Sequence, residues 1–276
     1  MILNGKAIHP DDQLASLALY GNATFTTMLV ADGKVKGLGL HLQRLQQDAE
    51  ALFGLPVDTA QVMDNVRSFL AGFTVSEPVT VRVTLFPQGF DMAKPEACNE
   101  LNILVTGRPA AGNLPALRCG LVASQRSLAG QKSGNMISLF KARRQARLAG
   151  ADDALLTAGQ QITEGATWNV FFIKDQQLIT PALSSDILPG VTRQLVIDCC
   201  QAAGITVQQQ AVTTGQLATF DAAFATNAAW GLRPISAIDD IDYASGGSAL
   251  LGQVRSLFDQ LPAETLAEPL AKPLSE

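Results

Sequence analysis

The sequence predicts a mixed α/β protein of two lobes, a small N-terminal α+β domain followed by a larger C-terminal α/β domain. Three observations point there. Hydrophobic patterning switches repeatedly between strand-like and helix-like spacing along the chain. The stretch Gly107-Arg108-Pro109-Ala110-Ala111-Gly112-Asn113 is rich in turn formers and divides the chain into two such series. And 276 residues exceed the common size of a single domain. The expected division is residues 1–106 for the first domain, 107–117 for a linker, 118–262 for the second domain and 263–276 for a flexible tail after Pro262.

In the first domain, Ala23 to Val30 reads as a strand, Asp32-Gly33 as a hairpin turn and Lys34 to Leu38 as the returning strand. From Leu40 to Phe53 the residues Leu42, Leu45, Ala49 and Leu52 recur at three- and four-residue intervals, which predicts a helix stopped by Gly54 and Pro56. A second helix is expected over Thr59 to Ala71, then strands over Val79 to Phe86 and Glu100 to Thr106. In the second domain, the expected strands are Arg118 to Ser124, Ala154 to Thr157, Gln161 to Glu164, Asn169 to Ile173, Leu178 to Thr180, Ile205 to Gln210 and Ala222 to Asn227. Helices are expected at Ile137 to Leu148, Thr192 to Ala203 and Ala249 to Leu261.

Composition narrows the function. A chain with 47% hydrophobic and 16% charged residues can bury a large core and is not a disordered one. Its net charge of −5 carries no basic stripe, and the one positive cluster, Lys141, Arg143, Arg144 and Arg147, fits on a single helix face, which argues against nucleic-acid binding. Cys98, Cys119, Cys199 and Cys200 have neither metal-ligand nor disulfide-framework spacing. The first residues do not read as a signal peptide and no apolar run is long enough to span a membrane, so a cytoplasmic location is expected. His9 and His41, the only histidines, stand in no triad spacing.

Four places could carry chemistry. The run Ser185-Asp186-Ile187-Leu188-Pro189-Gly190-Val191-Thr192-Arg193 opens directly onto a helix, where free amides and the positive dipole end suit a phosphate, although a plain capping loop accounts for it at least as well. Lys132, between a strand and a helix, reads by itself as a loop lysine, and Glu164 as a turn carboxylate. Arg44 reads as a solvated helix arginine.

Taken in order, however, these pieces form a series: Tyr20-Gly21, Phe25-Thr26-Thr27, Asp32-Gly33-Lys34-Val35, His41-Leu42-Gln43-Arg44-Leu45, Lys132-Ser133-Gly134-Asn135, Ile162-Thr163-Glu164-Gly165 with Asn169-Val170-Phe171, Ile187-Leu188-Pro189-Gly190-Val191-Thr192-Arg193 and Phe224-Ala225-Thr226-Asn227-Ala228. The series resembles the class IV, or fold-type IV, pyridoxal-phosphate enzymes: branched-chain and D-amino-acid aminotransferases and 4-amino-4-deoxychorismate lyase. It runs from about Tyr20 to Asp239.

The resemblance implies a two-lobed fold-type IV enzyme with pyridoxal 5′-phosphate between its lobes. It makes Lys132 the Schiff-base lysine and proton shuttle, and Glu164 the partner of the pyridine nitrogen. Arg44 and the amides of Val191 and Thr192 would hold the phosphate, with Asn169, Asn227 and Ala228 also at the cofactor. Within the class, Phe25-Thr26-Thr27, the Asp32-Gly33-Lys34-Val35 turn and Thr226-Asn227-Ala228 look most like the lyase, since transaminases more often carry Glu where Thr26 stands. Thr26 or Thr27 would then place or protonate the departing group. Two features depart from the class: the run Val83 to Asp91 lacks the Arg-Gly pair associated with the substrate, and Ala228 stands where many transaminases have Thr or Ser.

The expected activity is therefore conversion of 4-amino-4-deoxychorismate to 4-aminobenzoate and pyruvate by a cytoplasmic homodimer acting on a small amino-bearing substrate. The alternatives are a class IV aminotransferase for branched-chain or D-amino acids, and a non-catalytic binder of a phosphorylated ligand.

Overall fold

The computed structural model describes residues 2–3, 6–7, 12–71 and 77–266. His9 and the part of the expected tail beyond Leu266 lie outside them.

The first lobe contains the short pair β1 (Ile2–Leu3) and β2 (Lys6–Ala7), then α1 (Asp12–Tyr20), β3 (Thr24–Val30), β4 (Lys34–Lys36), α2 (Leu38–Phe53), α3 (Thr59–Ala71), β5 (Val79–Pro87) and β6 (Leu101–Pro109). Strands β3, β5 and β6 form an antiparallel sheet in that order. Its two faces differ because side chains alternate along a strand. Met28, Val30, Val79, Val81, Val83 and Leu85 pack under α2 and α3 against Leu42, Leu45, Ala49, Val62 and Val66. Phe25, Thr27, Thr80, Arg82, Thr106 and Arg108 fall on the opposite face and look into the space between the lobes. The returning strand ends at Lys36, short of the expected Leu38, because Gly37 takes a left-handed conformation and turns the chain into α2. Gly54 caps the other end of α2 with φ 66°.

The second lobe follows with β7 (Leu117–Ala123), α4 (Ile137–Leu148), β8 (Asp153–Ala158), β9 (Gln161–Gly165), β10 (Asn169–Lys174), β11 (Gln177–Pro181), α5 (Val191–Ala202), β12 (Val207–Gln210), β13 (Val212–Thr213), β14 (Ala222–Asn227), β15 (Gly231–Ile238), β16 (Ile241–Asp242), α6 (Ala249–Gln260) and β17 (Ala263–Thr265). Ten strands form one mixed sheet in the order β12-β11-β10-β14-β15-β7-β8-β9-β13, with β16 paired to β15. On one face Phe171, Ile173 and Phe224 are covered by Val196, Ile197, Val254 and Phe258 of α5 and α6. On the other, Val170, Phe172, Ala223 and Ala225 pack with Trp168, Leu217 and Phe220.

Two expected boundaries are corrected. The linker does not begin at Gly107: β6 continues through Pro109, pairing Gly107 with Val81 and Pro109 with Val79. Residues 263–266, the part of the expected tail that is described, are not frayed, since β17 runs antiparallel to β4, pairing Glu264 with Val35. Leu266 then enters the first-lobe core at 4% exposure, its N–H donating to the carbonyl of Gly33 at 2.9 Å. The chain thus ends its described course in the lobe where it began.

Candidate active site

A cleft of about 700 Å³ lies between the polar face of the small sheet and the large lobe. Such inter-lobe clefts are the ordinary place for a ligand.

The loop after β7 carries Lys132 into this cleft and is fastened to the first lobe by its main chain. The N–H of Phe25 donates to the carbonyl of Lys132 at 3.0 Å, and that of Gly134 to the carbonyl of Ala23 at 2.6 Å. The N–H of Lys132 in turn donates to Oδ2 of Asp48 at 3.0 Å. Lys132 is half-buried as a residue, but its amine is deep, 4.7 Å from the centre of the Phe25 ring. Burial, reinforced by the Arg44, Arg126 and Arg82 guanidiniums and opposed by Glu164, lowers its pKa to about 7. A large fraction of the amine is therefore neutral, and nucleophilic, near neutral pH.

Glu164 lies at the end of β9 and is 3% exposed. Its Oε2 accepts from the N–H of Leu188 at 3.1 Å and, at 3.5 Å, from Asn169. Its Oε1 has only the Arg126 guanidinium at 3.5 Å and accepts no hydrogen bond. Burial raises this carboxyl to about 7, against the pull of Arg126 and the Leu188 amide. A buried carboxylate oxygen without a donor is a place for an N–H from outside the protein. The Asn169 amide also donates to the Leu188 carbonyl at 3.0 Å, so it orients both Glu164 and the loop beside it.

That loop leads through Gly190 into α5. A Cβ on Gly190 would stand 2.0 Å from Oδ1 of Asn169, so only glycine permits this approach. No side chain caps the helix, and Val191 and Thr192 in its first turn line the cleft. Their amides and the helix dipole suit a phosphate.

Arg44 reaches the cleft from α2 and is 8% exposed. Its Nη2 donates to the Thr26 hydroxyl at 2.9 Å, and that hydroxyl lies 2.8 Å from Nδ1 of His41. One hydroxyl thus hydrogen-bonds both the guanidinium and the imidazole. Burial, with Arg44 and Lys132 nearby, holds the His41 pKa well below its usual range and keeps the ring neutral. The Nε of Arg44 is buried without a partner.

Thr26 and Thr27 thus separate. Thr26, fully buried, faces α2 and does not line the cleft; the expectation that it touches the departing group is corrected, since strand alternation turns it to the core and makes it a support for Arg44. Thr27 does line the cleft. Asn227 also lines the cleft, at the start of the β14–β15 turn; its amide donates to the carbonyl of Thr167, between β9 and β10, and its oxygen accepts from the N–H of Ala229 at 2.7 Å. That turn presents Ala228 to the cleft.

Three residues at the site were not anticipated. Arg126 donates to the carbonyls of Ala129 and Gln131 and pairs with Glu164. Asp48 holds the Lys132 main chain. Arg82 stacks its guanidinium 3.6 Å from the centre of the Phe25 ring and donates to Thr84 at 3.1 Å, and among the described residues it has no carboxylate partner. Arg82 stands one position upstream of the run Val83 to Asp91, which lacks an arginine, and it lines the cleft. Its signal was in the sequence: Thr80, Arg82 and Thr84 alternate with Val79, Val81, Val83 and Leu85, which puts the arginine opposite the core.

The donor set fits a phosphorylated pyridine aldehyde. A low-pKa amine, a carboxylate oxygen without a donor, an arginine with a free Nε and an open helix N-terminus all border one cleft.

The pattern of the family described as amino-transferase class IV matches residues 23–238. A provisionally assigned branched-chain-amino-acid aminotransferase of Methanocaldococcus jannaschii is 29% identical over 250 residues, covering 86% of this chain and 87% of that protein. Among solved structures, a Legionella pneumophila protein provisionally assigned as a 4-amino-4-deoxychorismate lyase superposes with a TM-score of 0.79 at 23% identity, over 94% of this chain and 97% of that one. An aminotransferase from Brucella abortus bound to its cofactor pyridoxal phosphate superposes with a TM-score of 0.80 at 21% identity, over 92% of this chain and 95% of that one. The sequence pattern, the two-lobed fold and the cleft agree: the chain belongs to the aminotransferase class IV family and is a pyridoxal-phosphate enzyme.

Proposed function

We propose that this enzyme is an aminodeoxychorismate lyase, converting 4-amino-4-deoxychorismate to 4-aminobenzoate and pyruvate. The observation that carries the reading is the character of the cleft roof: Thr27, Thr80, Arg82, Thr106 and Arg108 face the ligand space from the small sheet. A branched aliphatic side chain would gain little by burial against hydroxyls and guanidiniums. A substrate with one carboxylate on its ring and another on its enolpyruvyl arm suits two arginines.

In this reading Lys132 would hold the cofactor aldehyde through its neutral amine and Glu164 would keep a proton at the ring nitrogen. Arg44 and the first turn of α5 take the phosphate. When bound, pyridoxal phosphate supplies an electron sink for charge left on a substrate carbon. The amine of Lys132, when free, would remove the proton from the ring carbon that bears the substrate amine. The bond from ring to enolpyruvyl oxygen breaks, the ring becomes aromatic, and the departing enolate takes up a proton on carbon to leave as pyruvate. Thr27, the hydroxyl of the pair that faces the cleft, is assigned to the departing group.

Purified enzyme given aminodeoxychorismate should release aminobenzoate and pyruvate in equal amounts. Amino transfer to 2-oxoglutarate without aminobenzoate would instead establish the second reading, a class IV aminotransferase, which the similarity to the Methanocaldococcus protein supports.

We further propose a homodimer working in the cytoplasm. Ile137, Phe140 and Leu148 of α4 are 73%, 52% and 72% exposed, which leaves apolar surface for a second copy to cover. Among the described residues no helix is long and apolar enough to cross a membrane, and the four cysteines are free, as a reducing compartment keeps them. Light scattering at micromolar concentration would decide the oligomeric state.

A further inference from the structure

Asp48 is 4% exposed, yet its helix neighbours Leu45 and Ala49 belong to the apolar core. A carboxylate in such a place is unfavourable unless specific donors meet it. Its donors come from the lysine loop and the strand clamped to it. Oδ2 accepts the N–H of Lys132 at 3.0 Å and lies 3.4 Å from the Thr24 hydroxyl, which is also 3.2 Å from the carbonyl of Lys132. Asp48 and Thr24 therefore hold both the N–H and the C=O of Lys132, whose amine lines the cleft.

Asp48 also stands four residues after Arg44, one turn along α2, a rise of about 6 Å. The same rigid helix thus carries the arginine assigned to the phosphate and the carboxylate that grips the lysine main chain. We infer that Asp48 is a positioning residue for Lys132: it registers the lysine loop against α2, so that the helix sets the spacing between the amine and the phosphate anchor. The inference rests on Lys132 being the residue that links to the cofactor.

The test compares two ligands of cofactor-stripped enzyme. Pyridoxamine phosphate has the ring nitrogen and phosphate of pyridoxal phosphate but no aldehyde, so it cannot link to a lysine. Asp48→Ala should weaken pyridoxal phosphate about tenfold, as expected for one charge-assisted hydrogen bond, and pyridoxamine phosphate less than twofold. Asp48→Asn, which keeps an acceptor oxygen, should recover most of the loss. Asp48→Leu, of similar volume and leaving no cavity, should repeat the selective loss if the alanine variant does not fold. Equal weakening of both ligands, or unchanged affinity for both, overturns the proposal. Lys132→Ala separates the two assignments: if borohydride still fixes pyridoxal phosphate to that variant, the lysine assignment itself fails. If the label is lost there while Asp48→Ala shows no selective loss, only the role of Asp48 fails.

Discussion

Arg44 and His41, three residues apart on α2, are joined through one strand hydroxyl: Thr26 accepts from Arg44 at 2.9 Å and is hydrogen-bonded to Nδ1 of His41 at 2.8 Å. Thr26→Val keeps the volume but leaves a guanidinium N–H and an imidazole nitrogen buried without partners. The variant should lose about 2–4 kcal/mol of stability and bind pyridoxal phosphate more weakly, while Thr26→Ser should stay near the parent. Urea unfolding and cofactor titration measure both. A valine variant as stable as the parent would remove this network from the account.

The lowered pKa of Lys132 makes two pH predictions for cofactor-free enzyme. Covalent capture of pyridoxal phosphate should accelerate as the pH rises through about 7 and level off above it, whereas an unperturbed lysine would keep gaining toward 10.5. Stability runs in a definite direction too. Between about 7 and 10.5 the unfolded chain holds the proton that the folded chain has released, so the parent gains stability as pH rises through that window. Lys132→Met, which removes the buried cation, should therefore be more stable than the parent below about pH 7, with the difference vanishing above 10.5. Thermal melts across that range provide the check.

Glu164→Gln keeps an acceptor for the Leu188 amide but cannot carry charge. The cofactor should remain bound while turnover falls about a hundredfold or more, with KM little changed. Steady-state kinetics on cofactor-saturated enzyme would show it, and unchanged turnover would detach Glu164 from the ring nitrogen.

Arg82 has no acidic partner among the described residues and shares the Phe25 ring with Lys132. Arg82→Gln should raise KM for a carboxylate substrate about ten- to a hundredfold, the loss of one charged hydrogen bond, and leave cofactor affinity alone. A fall in kcat at constant KM would argue that it touches the reacting atoms instead.

Leu266→Ala should cost about 2–4 kcal/mol, as for a large-to-small change in a packed core. Its first-lobe partners include Leu38, Leu42 and Val35. Guanidinium unfolding measures it, and a neutral substitution would mean that the last strand is an ornament.

Local pattern made much of this molecule legible. Helices Thr59–Ala71 and Ile137–Leu148 lie where their spacing put them, because their apolar periodicity coincides with real burial of Val62, Met63 and Val66, and of Leu139, Ala142 and Ala146. Strand β15 was invisible because Pro234 interrupts it and its burial does not alternate; proline is tolerated there since pairing with β7 begins only at Ile235. At the site, Lys132, Glu164 and Arg44 were found through an ordered series of motifs. Arg126 and Asp48 were not, because their roles arise from contacts across 38 and 84 residues of sequence, which no local pattern encodes. Thr26 was assigned to the wrong side of its strand for want of the register that turns Phe25 and Thr27 outward.

The return of residues 263–266 to β4 has a consequence for synthesis. A nascent chain that has released its first lobe still lacks the strand that pairs with Lys34–Lys36 and the leucine that completes the core beneath it. That seam stays open on the ribosome until the second lobe has emerged, so the half that is made first is the half that is finished last.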